Sequence, residues 1–169
     1  KKDEKEVLRA CHARACEVIM KKGAGEDLKC SIGKTWSGAK IKEGIEKKKI
    51  SWSFGDAQCS LELMMPRALI VDGLVKPDHT SQFPEHSIKC VIERDKEATP
   101  ITIVAAPKLQ FKGGKVEKVW LGVKTIDGPA AVRGAIWTVV SVEDSVGLFH
   151  SEFVEGINHF ITNRCPPNK

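Results

Sequence analysis

Alternation of apolar and polar residues is strongest between positions 48 and 65 of the chain. Apolar side chains take every second position of residues 50–54, and they do so again in residues 59–63 after a turn at residues 55–58. A half-buried strand shows this period of two, so the pattern predicts an antiparallel hairpin at the centre of the fold. Residues 87–93 repeat the alternation and are predicted to form a neighbouring strand.

A second hairpin is predicted further along the chain. Residues 101–111 alternate as one long strand that bends at Pro107, and a double-glycine turn leads into the alternating residues 115–126. Shorter extended segments are predicted at residues 28–32 and 68–71. Together with the central hairpin, these segments supply enough strands for one sheet.

Helical periodicity marks both ends of the chain. Residues 3–22 begin with acidic residues and end with lysines before Gly23, so we predict that they form a helix. A short amphipathic helix is predicted over residues 37–47 and a longer one over residues 144–163, where apolar residues recur at helical spacing. Residues 130–142 are apolar nearly all round, which favours a buried helix, although their β-branched residues leave a strand as the alternative.

The order of these elements predicts an α+β fold. We expect a twisted antiparallel sheet of five or six strands packed against N- and C-terminal helices and stabilised by disulfides. The length of 169 residues, the hydrophobic fraction of 41% and the charged fraction of 29% fit a single globular domain over residues 1–169. No apolar run reaches the roughly 18 residues of a membrane span, so we expect a soluble protein.

Six cysteines are present and no two of them form a CxxC pair. This disfavours a zinc ribbon, a thioredoxin-type site or an iron–sulfur cluster, and disulfides are expected instead. Cys59 and Cys90 take core-facing positions of adjacent predicted strands, where opposed residues lie close enough to be bridged. Cys11 and Cys16 lie about 140° apart around the first helix, so we expect them to bond different partners. Several pairings remain open for these two and the other two cysteines, and we favour Cys16–Cys30 and Cys11–Cys165.

The expected disulfides predict a periplasmic or secreted location, because such bonds persist in oxidising compartments. The alternative is a cytosolic protein with six buried thiols. The chain opens with KKDEKE and not with an apolar signal segment, so the first location requires that a signal has been removed.

The formal net charge of +5 is concentrated in the first third of the chain. Residues 1–50 carry 14 basic and 8 acidic residues, whereas the remainder carries 13 and 14. A basic surface attracts anionic membranes, acidic proteins or nucleic acid, and the expected disulfides make nucleic acid the least favoured of these. The partners we expect are an apolar small molecule or a protein, with an anionic membrane surface as a further one and no nucleic acid.

The sequence lacks the motifs of serine hydrolases, zinc proteases and phosphate-loop nucleotide-binding proteins. GxSxG and HExxH do not occur, and Gly33-Lys34-Thr35 is not a phosphate loop, because that motif has glycine where this chain has Leu28. We therefore expect no cofactor and no bound metal, and we favour a protein without enzymatic activity.

A general acid–base site could still be assembled from the proline-rich residues 75–87, which we predict to form a loop. Its candidate groups are Asp78, His79, Glu85 and His86. Glu155 and His159 lie four positions apart on the last predicted helix, a spacing that suits a metal or, more commonly, a weak surface pair.

Trp120 is the leading candidate for ligand binding. It lies in phase with Lys118, Gly122 and Lys124, so it is either covered by a helix or exposed on a sheet face. An exposed tryptophan beside glycine and lysines suits an apolar or anionic ligand, or a protein partner. We expect a cavity or patch lined by Trp120, Trp137 and Phe149.

Three classes of function follow from these observations. The one we favour is a secreted or periplasmic, non-catalytic binding protein for an apolar small molecule such as a lipid, or for a protein partner. The alternatives are a hydrolase-type enzyme that uses the His79/His86 loop, and an envelope assembly or structural factor that docks through its basic N-terminal third.

Overall fold

The structure, a computed structural model, describes residues 2–46, 52–146 and 150–165. These residues form five α-helices, eight β-strands and a π-helical turn at Phe160–Arg164. The helices are α1 (Lys2–Lys21), α2 (Gly38–Glu46), α3 (Arg67–Val75), α4 (Ala130–Val146) and α5 (His150–His159). The strands are β1 (Leu28–Trp36), β2 (Ala57–Met65), β3 (Asp78–Gln82), β4 (His86–Arg94), β5 (Glu97–Ala105), β6 (Lys108–Lys112), β7 (Lys115–Trp120) and β8 (Val123–Asp127).

Five strands form an antiparallel sheet in the order β1-β2-β4-β5-β8, and β3-β6-β7 form a smaller antiparallel sheet. The fold is therefore the predicted α+β arrangement, with the strands divided between two sheets. An unbroken row of aliphatic residues crosses the larger sheet on its inner face. The row consists of Ile32, Leu61, Ile88, Ile103 and Ile126.

Three short connections run directly between the two sheets and lie side by side. They join β3 to β4, β5 to β6 and β7 to β8, and each contains a residue that interrupts a strand, namely Pro84, Pro107 or Gly122. Backbone hydrogen bonds link them, because Phe83 N donates to Pro107 O at 2.9 Å and Ala106 N donates to Gly122 O at 2.9 Å. The sheets consequently meet along a bend built from main chain.

The helices cover the inner faces of both sheets. Val132 and Val140 of α4 belong to the core of the larger sheet, while Val154 and Ile157 of α5 pack on the smaller one. Helix α1 lies over the β1 end of the larger sheet, where Cys11 is buried among strand residues. Among the described helices, none combines the length and the apolar character that crossing a bilayer requires.

Side chains from the helices also close two strand edges. Glu4 of α1 accepts a hydrogen bond from Thr35 N at 3.1 Å, and Arg14 donates to Lys29 O at 2.7 Å, so both ends of the outer edge of β1 are covered. Asn158 of α5 bonds both backbone groups of Val116 in β7, at 2.8 and 2.9 Å. Occupied backbone groups cannot recruit a further strand at these positions.

The predicted central hairpin is wrong in its first strand. Residues 52–56 form a loop, while residues 50–51 lie outside the described residues. Trp52 and Phe54 contact each other edge to face at 5.0 Å and belong to the core around α4, so this loop also buries every second side chain. Strand β2 pairs instead with β1, which precedes it by way of α2.

Three other predicted segments also differ. The extended run at residues 68–71 is part of α3, and the proline-rich segment predicted as a loop contains β3. The long strand over residues 101–111 is divided at Pro107 into β5 and β6, which belong to different sheets. The first helix, the β4 strand and the helix at residues 130–142 are confirmed, and the helix predicted over residues 144–163 corresponds to the end of α4, then α5 and the π-helical turn.

All six cysteines form disulfides, as expected. The Cys59–Cys90 pair is confirmed, with Cα atoms 4.0 Å apart on directly opposed residues of β2 and β4. The other two pairs are Cys11–Cys30 and Cys16–Cys165, so the favoured pairings Cys16–Cys30 and Cys11–Cys165 were wrong. Cys11 belongs to the apolar stripe of α1 that faces β1, and Cys16 therefore points away from the sheet towards the C-terminal turn.

Candidate functional site

The bend between the sheets contains an open cleft of about 650 Å³. Its walls come from the three connections, and side chains of β6, β7 and β8 project into it. The lining residues with polar or aromatic groups are Gln82, Phe83, Glu85, Lys108, Trp120 and Lys124. Ligand pockets in proteins commonly measure about 300 to 1,000 Å³, so this cleft has the volume for a small molecule.

Trp120 is half-buried in this cleft, with a charged neighbour over its ring. Lys108 lies directly opposite Trp120 in the pairing of β6 with β7, and its Nζ is 4.4 Å from the ring centroid. A cation–π contact contributes about 0.5 to 1 kcal/mol at an exposed site and about 2 kcal/mol when it is desolvated, so displacing Lys108 from this half-buried ring costs a ligand about 1 to 2 kcal/mol. The ring face that Lys108 covers is therefore available for binding.

Lys124 and Glu85 form a second polar pair in the cleft, with Nζ and Oε2 3.2 Å apart. Both side chains are more than half exposed, at 56% and 57%, so solvent weakens their attraction. The two lysines and one glutamate leave the cleft with an excess of one positive charge. An anionic group fits this balance better than a cationic one.

The walls of the cleft are held by contacts to main-chain carbonyls. The side-chain amide of Gln82 donates through Nε2 to Ala106 O at 3.0 Å and to Pro107 O at 3.1 Å. Gly122 has a φ of +64°, and a Cβ there would collide with Ala106 O. Only glycine adopts this positive φ readily and also lacks a Cβ, so the close approach of the β5–β6 and β7–β8 connections depends on this residue.

The structure separates the three predicted ligand-binding residues. Trp120 lines the cleft, whereas Trp137 is packed against the core of the larger sheet on α4 and does not line the cleft. Phe149 lies outside the described residues. Phe83 is only 1% exposed and forms the cleft floor.

His86, a candidate general base, uses both ring nitrogens within the fold. Met64 N donates to Nε2 at 3.1 Å, so Nδ1 carries the proton and donates to Pro84 O at 2.8 Å. The ring is 8% exposed. A neutral imidazole with both nitrogens occupied has no free position for proton transfer to a substrate.

The remaining candidates of the proline-rich segment do not converge on His86. Asp78 and His79 begin β3, whereas Glu85 follows its end and pairs with Lys124. Asp78 and Gln82 mark the two ends of a five-residue strand, which spans roughly 13 Å. Across the described residues, no group of three or more histidine, cysteine, aspartate or glutamate side chains could hold a metal ion, and Glu155 and His159 are both exposed on α5.

Two Ser-x-x-Lys spacings, a pattern found in some nucleophilic enzymes, also lack the necessary contacts. The Ser31 hydroxyl donates to Glu62, and the Ser37 hydroxyl accepts from the Lys40 backbone N–H at 3.2 Å. Within the described part of the chain, neither Lys34 nor Lys40 brings its ammonium group to a serine hydroxyl. These spacings therefore do not form a serine–lysine dyad.

Sequence reasoning located Trp120 but missed Lys108 and Glu85 as its neighbours. A β-bulge between Gln110 and Phe111 shifts the pairing of β6 with β7 by one residue. Counting outward from the double-glycine turn would place Lys108 opposite Val119, and the bulge places it opposite Trp120 instead. Glu85 joins the site only because the two sheets meet at the bend.

The fold and cleft define an α+β protein with three disulfides and an open, mixed apolar and cationic surface site. No family model, curated protein or solved structure matches the chain.

Proposed function

We propose that this chain is a non-catalytic binding protein that holds a small amphiphilic anion in the Trp120 cleft. The observation that supports this most directly is the half-buried Trp120 ring with the Lys108 ammonium 4.4 Å above it, inside a cleft of about 650 Å³. A ring for apolar contact and a cation for charge lie side by side, so the site favours a ligand that carries both features.

The ligand has a flat apolar part and an acidic group. The flat part takes the place of Lys108 on Trp120. An aromatic or apolar group stacked on the ring contributes more binding free energy than this cation–π contact does. Lys108 then turns to the acidic group, which Lys124 also reaches once it releases Glu85. A carboxylate, sulfate or phosphate on a planar ring system has this chemistry, and so does the end of an acidic lipid.

We propose a periplasmic or secreted location for this activity. The three disulfides support it, because such bonds form and persist in oxidising compartments. Native mass spectrometry of the protein isolated from such a compartment would identify a bound ligand by its mass.

Two fluorescent probes test the site directly. The first, 8-anilinonaphthalene-1-sulfonate, has flat rings and an anionic group, and the second, N-phenyl-1-naphthylamine, has the rings alone. We expect saturable binding of both, with the sulfonate preferred. Trp120→Ala should weaken both probes about tenfold, because both lose the ring contact.

Charge and fold are tested by matched variants. Lys108→Gln with Lys124→Gln should weaken the sulfonate and leave the uncharged probe within about twofold, because only the sulfonate uses the lysines. Trp36→Ala removes a tryptophan that is 40% exposed on β1 and should change neither affinity. Trp120→Phe keeps a ring and should keep most of the affinity. Equal losses in the Trp36 and Trp120 variants, with both folded by circular dichroism, would rule out this cleft as the site.

A further inference from the structure

A second groove of about 530 Å³ lies at the opposite edge of the larger sheet. It is enclosed by the first turns of α1, the end of β1 and the start of α2. Lysines from all three elements line it, namely Lys5, Lys34 and Lys40, and we refer to it as the basic groove. Strands β1 and β8 are the two edges of the five-stranded sheet, so four strand spacings, roughly 19 Å, separate the basic groove from β8 and the Trp120 cleft.

The carboxylates in the basic groove are already committed to the backbone and hydroxyl groups of the protein. Glu4 accepts from Thr35 N at 3.1 Å and from Thr35 Oγ1 at 2.6 Å, and Asp56 accepts from Gly38 N at 2.7 Å. The Asp56 carboxylate thereby occupies the N-terminus of α2. It compensates the helix dipole there. Together, Glu4 and Asp56 offset two of the three lysine charges, so the basic groove keeps an excess of one positive charge.

The three lysine side chains of the basic groove are exposed. Within the described residues, no carboxylate lies at ion-pair distance from Lys5, Lys34 or Lys40, although other lysines such as Lys21 and Lys76 have such partners. The three lysines line one concave surface, so their like charges repel one another, and an anion bound in the groove relieves this repulsion.

We propose that the basic groove is a second binding site and that it takes a phosphoryl group. A terminal phosphoryl group presents three oxygens and about −1.5 to −2 charges near neutral pH, so it can contact all three ammonium groups at once. A carboxylate has two oxygens and a single charge and would leave part of the site unused. Lysine binds phosphate as a mobile point charge, which suits side chains that reach the groove from three elements.

The volume and walls of the groove define the ligand further. A space of about 530 Å³ exceeds the size of a lone phosphate, and Leu8 supplies an apolar wall. The site therefore takes a phosphorylated small molecule or the phosphomonoester headgroup of a lipid, which share the phosphoryl chemistry. This site uses β-strand and helix side chains, so it is unrelated to the glycine-rich loop that Gly33-Lys34-Thr35 superficially resembles.

Inorganic pyrophosphate is the probe for the first test, with the isotope-labelled, oxidised full chain followed by amide NMR. We expect saturable shifts of the amides around Lys34, Ser37 and Lys40. The triple variant Lys5→Gln, Lys34→Gln, Lys40→Gln should bind pyrophosphate at least about tenfold more weakly. The corresponding triple change to arginine keeps the charges and should bind within about threefold of the parent chain.

A second triple variant controls for overall charge. Lys112→Gln, Lys115→Gln and Lys118→Gln removes three exposed lysines of the β6–β7 hairpin and gives the same net charge. It should retain pyrophosphate affinity within about twofold. Equal weakening in both glutamine triples, or shifts scattered over all lysine-rich surfaces, would overturn the proposal.

Vesicles distinguish the two sources of the phosphoryl group. Phosphatidylcholine vesicles with and without phosphatidic acid are sedimented with the protein, and pyrophosphate is added as a competitor. Binding that requires phosphatidic acid and is reversed by pyrophosphate assigns a lipid headgroup, whereas pyrophosphate binding without vesicle binding assigns a soluble phosphorylated ligand. Vesicle binding that the Lys5, Lys34 and Lys40 changes leave intact would contradict the site. The Trp120→Ala variant should behave as the parent chain throughout, so the outcome is independent of the Trp120 cleft.

Discussion

His86 joins two segments of the fold through its two ring nitrogens, and its removal should be costly. In His86→Leu the part-buried Met64 N–H loses its acceptor, and leaving such a donor unsatisfied costs about 1 to 3 kcal/mol. We expect urea denaturation to show a loss of unfolding free energy in this range. His159→Leu, at an exposed position on α5, provides the matched control and should change the unfolding free energy by about 0.5 kcal/mol or less. A His86 variant as stable as the His159 variant would show that the two hydrogen bonds of His86 contribute little to the free energy of unfolding.

His12 makes stability depend on pH near neutrality. Its ring lies 5.0 Å from that of Phe160, and burial, followed by the nearby Arg164 guanidinium, lowers the pKa of His12 below its ordinary value of 6.5. The unfolded chain therefore binds a proton at higher pH than the folded chain does. Stability consequently falls as the pH drops through 6.5, and the loss from this group is complete below the lowered folded-state pKa.

The His12→Gln variant should remove this contribution. We expect the difference in urea midpoint between about pH 7.5 and 5.5 to be smaller in His12→Gln than in the parent chain. His159→Gln makes the same chemical change at an exposed helix position and should keep the parental difference. An unchanged pH dependence in His12→Gln would show that other groups dominate in this range.

Glu17 and Arg67 also make stability depend on pH, but in a lower pH range and through their ion pair. The Arg67 guanidinium is 4% exposed and donates to both Glu17 carboxylate oxygens, at 3.0 and 2.9 Å. Hydrogen bonds from Arg67 hold the pKa of Glu17 below its ordinary value of 4.5, so the stability from this pair is present above pH 4.5 and is lost as the pH falls below it. The pH range assigned to His12 is therefore free of this effect.

At the scale of the elements, local signals located the helices α1, α2 and α4 and the strands β1 and β4, and non-local pairing limited the rest. Acidic and basic ends identified α1, and Ser37, the first residue of the helix predicted over residues 37–47, caps α2 by accepting a hydrogen bond from Lys40 N at 3.2 Å. The alternation over residues 50–54 was equally real, but a loop that buries Trp52 and Phe54 shows the same pattern as a strand. A short apolar run cannot separate a helix from a strand either, which explains the error at α3.

The same contrast between local and non-local features applies to the candidate site. The phase of Trp120 within its hairpin was readable from the sequence, because alternation is a local property. Its opposite neighbour depended on a bulge, and Glu85 came from another sheet connection, so neither could be derived from spacing alone. The cysteines behaved likewise: the opposed Cys59 and Cys90 were predictable, whereas the partners of Cys11 and Cys16 depended on which side of α1 faces the sheet.

At the scale of the whole molecule, the Cys16–Cys165 disulfide ties the first helix to the end of the described chain across 149 residues. The Cys59–Cys90 disulfide spans 31. Because a bridge stabilises mainly by restricting the unfolded chain, removing the longer one should cost more, by roughly 1.4 kcal/mol in the loop-entropy relation, within total losses of about 2 to 5 kcal/mol. Chemical denaturation of Cys16→Ala with Cys165→Ala, compared with Cys59→Ala and Cys90→Ala, measures the difference. A greater loss from the shorter bridge would show that local packing, and not chain restriction, dominates.

The three connections between the sheets have a consequence for how binding preference can change. They are held to one another by main-chain hydrogen bonds and by the glycine at position 122, so the shape of the cleft owes little to the side chains that meet a ligand. Lys108, Trp120 and Lys124 can thus be replaced by other residues while the three connections keep their positions. A library that randomises these three positions, with Pro84, Pro107 and Gly122 kept constant, would yield folded proteins with new ligand preferences, which makes the bend a scaffold for engineered recognition.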